Sequence, residues 1–221
     1  MFRIDSLCRY KFVEVLAVLL SFGIGVFIYF SPFQKFKILA ILFLLVSVLC
    51  WFYAIFWYQP MSLTDYGLSL KNLLRNLFFA IIIAIGGYIL WLGYIYITQR
   101  SVSLPRYGGS LLVVFSLIAV PLFEEFLFRG YAQHRLKGVL SPLFRVVLIS
   151  IMLAGYKWAI HFFQIHSFLQ FCDIVVVSFI GSLVCSYALE QTESLITPIT
   201  IHIIWDCLLY ISLPALPWWM I

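Results

Sequence analysis

The stretch Val120-Pro-Leu-Phe-Glu-Glu-Phe-Leu-Phe-Arg-Gly130 sets two adjacent carboxylates and a guanidinium inside apolar sequence long enough to cross a membrane. On insertion scales an ionisable group at mid-bilayer costs roughly 3 kcal/mol, so such groups turn inward and mark an ion pair or a site. Glu125 and Arg129 are four residues apart, on one helix face, and are spaced to pair, whereas Glu124 points about 100° away. The spacing predicts one glutamate tied to its arginine and one left free. A structural ion-pair cluster between helices accounts for the same three residues, so the rest of the chain must separate the two readings.

Apolar residues make up 64% of the 221 and charged residues only 10%, which excludes a soluble globular domain and leaves an integral membrane protein. In a soluble chain the net charge of +5 would suggest nucleic acid, but here the cations sit in short loops and no nucleic-acid motif accompanies them. Cys8, Cys50, Cys172, Cys185 and Cys207 are scattered, with no C-x-x-C pair for zinc or redox work, and read as packing residues. Arg3, Arg9 and Lys11 precede an apolar run of full-span length with no small-x-small cleavage site, so a retained first helix is expected rather than a signal peptide.

Working outward, a span needs about 20 apolar residues. Segments near 12–30, 37–57, 77–97, 110–134, 145–165, 171–189 and 196–216 meet that requirement with varying clarity. The expected fold is an all-α polytopic membrane bundle of about seven helices, within a range of six to eight. With no repeat and no long linker, 1–221 reads as a single integral membrane domain with its motif-bearing core at about 108–212. Between the second and third segments, Leu68, Leu70, Leu73 and Leu74 fit a short amphipathic surface helix. An N-terminus in the cytoplasm puts Arg3, Arg9, Lys11, Lys71, Arg75, Arg135, Lys137 and Arg145 inside, against Lys35, Lys37, Arg100 and Arg106 outside. The positive-inside rule favours that orientation, in the inner (plasma) membrane of the cell, and leaves Trp218 and Trp219 as interfacial aromatics on the far side.

Other titratable residues at depth are Glu14, Lys157, His161, His202 and Asp206, with His166 and Asp173 near segment ends. His202 and Asp206 share a helix face at i and i+4 in Thr197-Pro-Ile-Thr-Ile-His-Ile-Ile-Trp-Asp206, and Pro198 suits a first turn. Ser150, Ser178 and Ser182 lack any nucleophile context and read as helix-packing serines. Lys157 is open between two readings: a cation that snorkels or pairs with a carboxylate such as Asp173, or a neighbour of His161 one turn on. His134 falls in a basic loop and is expected to be solvated.

The order Glu124-Glu125-x-x-x-Arg129, a histidine in the next span, then His202-x-x-x-Asp206 resembles the CPBP family of intramembrane proteases. That family takes in CAAX prenyl endopeptidases and the Abi-like bacteriocin-processing and immunity proteins. The resemblance covers about half the chain, from the fourth segment to the seventh, and two positions depart from it. The second motif is Phe-x-x-x-His, and His161 has Lys157 at the aromatic position, whereas His166 has Phe162 there. At 1.5 Å per residue, Glu124 lies roughly 20 Å from the Lys137-Gly138 end of its helix and His161 roughly 24 Å from Arg145. His166 would be about 8 Å deeper, so His161 is preferred and His166 kept as the alternative. The same arithmetic leaves His202 shallow, about eight residues after Ser194, unless its helix starts recessed or tilts. The second departure is Asp206, where the family more often has Asn. An ionised carboxylate only accepts hydrogen bonds, so Asp206 either is protonated in an oxyanion site or orients His202 as the donor.

The resemblance implies an endopeptidase acting on a hydrophobic or lipidated peptide in the bilayer, with no nucleic acid among its partners. In the implied site Glu124 activates water with help from His161, His202 and Asp206 lie on the oxyanion side, and Glu125 with Arg129 braces Glu124. It implies no metal and no cofactor, although two histidines and a carboxylate are also a known zinc ligand set. A non-catalytic immunity or regulatory partner built on the same fold is the alternative, which Lys157 and Asp206 favour. A small transporter would show inverted repeats or paired broken helices, and the sequence has neither.

Overall fold

The structure is a computed structural model that describes residues 6–30, 37–53, 64, 67–68, 70–97, 111–162 and 168–212. His166, Lys35, Arg100, Arg106, Trp218 and Trp219 lie outside the described residues. Those described form an all-helical bundle: α1 (Ser6–Phe30), α2 (Lys37–Tyr53), α3 (Leu73–Ile97), α4 (Leu111–Glu125), α5 (Pro142–His161), α6 (Phe168–Thr192) and α7 (Ile196–Ser212). Among the described residues, four stretches are long and apolar enough to cross a membrane: Tyr10–Tyr29, Leu73–Tyr94, Pro142–His161 and Ile174–Thr192. Lys37–Cys50 and Ile196–Tyr210 are shorter apolar helices. Outward faces carry Ile38, Leu49, Leu90 and Ile89, each more than 60% exposed, which suits hydrocarbon rather than water. The protein is a helical integral membrane protein.

α4 does not stop at Glu125 but continues as an eight-residue π-helix, Phe126–Gln133. Pro121, buried inside α4, has no amide hydrogen to donate, so the helical ladder is already interrupted one turn before the diglutamate. The π turn packs against α5 and α6, and seven of its eight residues are buried. On one side Leu127, Phe128, Tyr131 and Ala132 join Val15, Val18, Phe22, Ile149 and Leu153 in the largest apolar core. On the far side of the bundle Ala80, Ala84, Cys185, Ala188 and Ile201 bring α3, α6 and α7 together. Small residues let those backbones approach closely, the usual basis of helix packing where lipid removes the hydrophobic drive.

The helix ends meet at one end of the bundle. Arg135 there pairs with Glu14 of α1 at 2.9 Å, and the Tyr131 hydroxyl donates to the same carboxylate at 2.8 Å. Arg145 at the start of α5 pairs with Glu190 near the end of α6 at 2.7 Å. Glu14 is therefore consumed by packing. The expected amphipathic helix before α3 is not what forms: Gly67 and Asn72 take φ of +75° and +57°, which turn the chain, and α3 starts at Leu73 rather than near 77. A docking contact explains the turn, because the Gly67 carbonyl accepts the Leu195 amide at 2.7 Å. Leu68 packs on the core, while Leu70 and Leu74 point out at 73% and 82% exposure.

The same contact covers the start of α7: Ser194, Leu195 and Thr197 are at most 1% exposed beneath the Gly67 turn, so α7 begins recessed within the protein. A Cβ on Gly67 would meet the Leu195 nitrogen at 3.2 Å, on a backbone already at positive φ, whereas one on Gly86 meets nothing within 4 Å. Gly67→Ala is expected to cost about 1–3 kcal/mol, and Gly86→Ala, inside α3, to be neutral or stabilising. Thermal unfolding in detergent checks both; equal melting temperatures would remove the docking role of Gly67.

Candidate active site

Glu124 and Glu125 close α4 and are both 0% exposed. The expected pairing forms: an Arg129 amino nitrogen donates to Glu125 Oε1 at 3.1 Å. The fork does more than pair, since its second amino nitrogen donates to the Ser182 carbonyl at 3.2 Å and to Ser182 Oγ at 2.6 Å. Its Nε donates to Ser186 Oγ at 3.3 Å. A planar guanidinium with five fixed donors suits such a set, and a lysine ammonium does not. Gln133, one turn on, donates to the Ser186 carbonyl and to Glu190 at 3.0 and 2.9 Å. α6 thus offers Ser182, Ser186 and Glu190 at intervals of four, facing Arg129 and Gln133 at the same interval. Ser182 is more than a packing serine, and Ser186 and Gln133 belong to the site's support although their types alone do not single them out.

The free glutamate expected from the spacing is not free. Lys157 of α5 places its ammonium in contact with Glu124 Oε1. The reason is the register of α5, which turns Lys157 toward the end of α4, 13% exposed at the side chain, rather than letting it snorkel. Of the two readings of Lys157, the carboxylate pair forms, but with Glu124. His161, one turn further and 3% exposed, ends α5 and feels the Lys157 charge.

α7 supplies the facing side. His202 Nδ1 lies 2.8 Å from Glu125 Oε1. An oxygen paired to Arg129 is an ionised acceptor, so Nδ1 carries the hydrogen and the ring is fixed from that side. Nε2 is then turned to Glu124 Oε2 at 3.8 Å and to Asp206 Oδ2 at 3.7 Å, both beyond direct hydrogen-bond range. Glu125, not Asp206, is thus the hydrogen-bonded anchor of His202. Glu124 Oε2 and Glu125 Oε2 are buried and lack a hydrogen-bond partner among the described residues. The structure therefore gathers Glu124, Glu125, Arg129, Lys157, His202 and Asp206 from three helical segments and the π turn, with His161 beside Lys157.

Fold and centre together define a polytopic membrane protein with a buried cluster of acids and bases, a class that includes intramembrane hydrolases. Residues 106–208, which hold the whole cluster, match the family described as Rce1-like, type II CAAX prenyl endopeptidase Rce1-like, and that match supports the CPBP/CAAX protease family. Among curated proteins and solved structures, none matches the chain.

Arg129→Met leaves Glu125 without its cation and Ser182 and Ser186 without their donor. Breaking a buried pair from one side costs about 3–5 kcal/mol, and Arg129→Lys recovers only part of it. Thermal unfolding of the three proteins in one detergent should rank wild type above Arg129→Lys above Arg129→Met. A Met variant as stable as wild type would show that the fork does not hold the centre together.

Proposed function

We propose that the protein is an intramembrane endopeptidase in which Glu124 activates the water that attacks a peptide bond. The observation that carries this reading is the triangle of Glu124 Oε2, His202 Nε2 and Asp206 Oδ2, with a buried carboxylate oxygen lacking a hydrogen-bond partner among the described residues. Glu124 Oε2 takes a proton from water, and the resulting hydroxide adds to the carbonyl carbon. His202 Nε2, when protonated, donates to the oxyanion while Asp206 stabilises the imidazolium. Collapse of the intermediate breaks the C–N bond, and the proton held by Glu124 passes to the leaving amine. Glu125 and Arg129 position His202 and Glu124, and His161 assists the base from the end of α5.

The substrate that suits this reading is a hydrophobic or lipidated peptide reaching the centre from the bilayer, with a prenylated C-terminal CAAX tail the first to try because of the family's description. The reaction is proposed to need no metal. Cations already sit on both glutamates, Arg129 on Glu125 and Lys157 on Glu124. The bundle is proposed to lie in the inner (plasma) membrane with the N-terminus cytoplasmic, since Lys71, Arg75, Arg135, Lys137 and Arg145 belong to the end where Gly67 meets Leu195 and Lys137 meets Glu193. One observation favours the non-catalytic partner instead: Glu124 is fully buried under an ammonium, so a substrate reaches it only if a side chain moves.

Cleavage of a panel of farnesylated CAAX peptides, leader peptides and sorting tails in detergent or liposomes separates the two. Glu124→Gln is expected to lower the rate by about 10²–10⁴-fold, the span attributed to a general base. A zinc chelator should leave it unchanged. If wild type cuts nothing in the panel while Glu124→Gln keeps the cellular phenotype, the partner reading replaces the peptidase.

A further inference from the structure

The buried centre holds one carboxylate more than its arginine and imidazole would balance on their own, and Lys157 is the residue that meets the excess. Arg129 is committed to Glu125, with its remaining donors on Ser182 and Ser186. His202 is shared among Glu125, Glu124 and Asp206. Two carboxylates, Glu124 and Asp206, would otherwise face each other across a single imidazole in a cluster whose glutamates are 0% and aspartate 8% exposed. Lys157 reaches this cluster from α5. Its ammonium touches Glu124 Oε1 and acts through space on Asp206 and Glu125 as well. Tyr156 beside it is packed against Phe22 and Phe128 at 5.6 Å from each, and Lys157 Nζ lies 5.9 Å from the Tyr156 ring centre.

We infer that Lys157 is a positioning residue for Glu124, and that its positive charge is what lets the buried centre hold Asp206 as a third carboxylate. By holding Oε1, Lys157 turns Oε2 toward His202 and Asp206. By supplying a positive charge, it offsets the one Asp206 adds, so the pair leaves the net charge of the cluster as it would be with two neutral residues, whatever proton His202 carries. Removing Lys157 alone leaves Glu124 and Asp206 facing each other across one imidazole, whereas removing Asp206 alone leaves the ammonium still on Glu124. The first is costly, and removing Asp206 as well relieves that cost. The positioning half of this inference rests on the peptidase reading above; the charge-matching half stands without it.

The test is a double-mutant cycle on the full chain in one detergent: wild type, Lys157→Met, Asp206→Asn, the double variant, and Lys157→Arg as the charge-keeping control. Thermal unfolding is read for all five, together with cleavage of whichever peptide in the panel the wild type cuts. Lys157→Met is expected to melt lower than wild type, and the double variant to melt above Lys157→Met. Two sites coupled through one charge network differ from additivity by up to about a hundredfold in an equilibrium constant. If Lys157→Met fails to fold, recovery of folded protein in the double variant supports the pairing and continued failure overturns it. Additive losses of melting temperature overturn it too. For cleavage, Lys157→Met should lower kcat about tenfold or more at little-changed KM, with partial rescue by Lys157→Arg. A kcat equal to wild type sinks the positioning role. A wild type that cuts nothing sinks the peptidase reading, while the melting cycle still decides the charge match.

Discussion

Arg129 is the constraint on which the centre rests. One guanidinium ties the end of α4 to two serines of α6 and, through the shared Glu125 oxygen, to the imidazole of α7. Such a fork is tolerable in a membrane interior because its donors are spent on protein acceptors rather than left to hydrocarbon. The π turn helps make this geometry available. Widening the helix just after Glu125 sets Arg129 and Gln133 against the four-residue ladder of α6, while Tyr131 and Arg135 reach Glu14 of α1. A π segment at a polar centre is in keeping with the general association of such segments with functional sites.

The arrangement divides labour between adjacent carboxylates. Glu125 is held by Arg129 and in turn holds His202; Glu124 has one oxygen on Lys157 and one turned to Nε2. Chemically equivalent neighbours are thus made unequal by their surroundings, which is how a site obtains a fixed anchor and a reactive group from one residue type. In the proposed reaction that inequality decides which glutamate meets water.

Much of this could be read before any coordinates. Seven helical segments and the Glu125–Arg129 pair follow from hydropathy and intervals of four, because those are local properties of a helix, whereas the approach of His202 to the diglutamate was legible only through the family resemblance. What failed was long-range. No local pattern says that Lys157 will face α4 rather than Asp173 or lipid, since that depends on how α5 is rotated against the π turn. The segment before α3 has the leucine spacing of an amphipathic helix, yet its conformation is set by Leu195, some 130 residues later. The π turn itself carries no composition signal. Ser186 was the nearest to legible: its interval of four from Ser182 and Glu190 matched that of Arg129 and Gln133, but only a partner gives such an interval meaning.

The recessed start of α7 bears on how the protein is made. Synthesis delivers α4, the π turn, α5 and α6 before α7, so Arg129 and Lys157 enter the bilayer close behind the glutamates they accompany, and the serines of α6 follow. Each acid therefore has a cation within reach while the bundle is still incomplete. The imidazole and the third acid arrive last, under a turn contributed by the α2–α3 link long before. The expensive charges are escorted during insertion, and the constellation that brings them to face one another exists only once the seventh helix has docked.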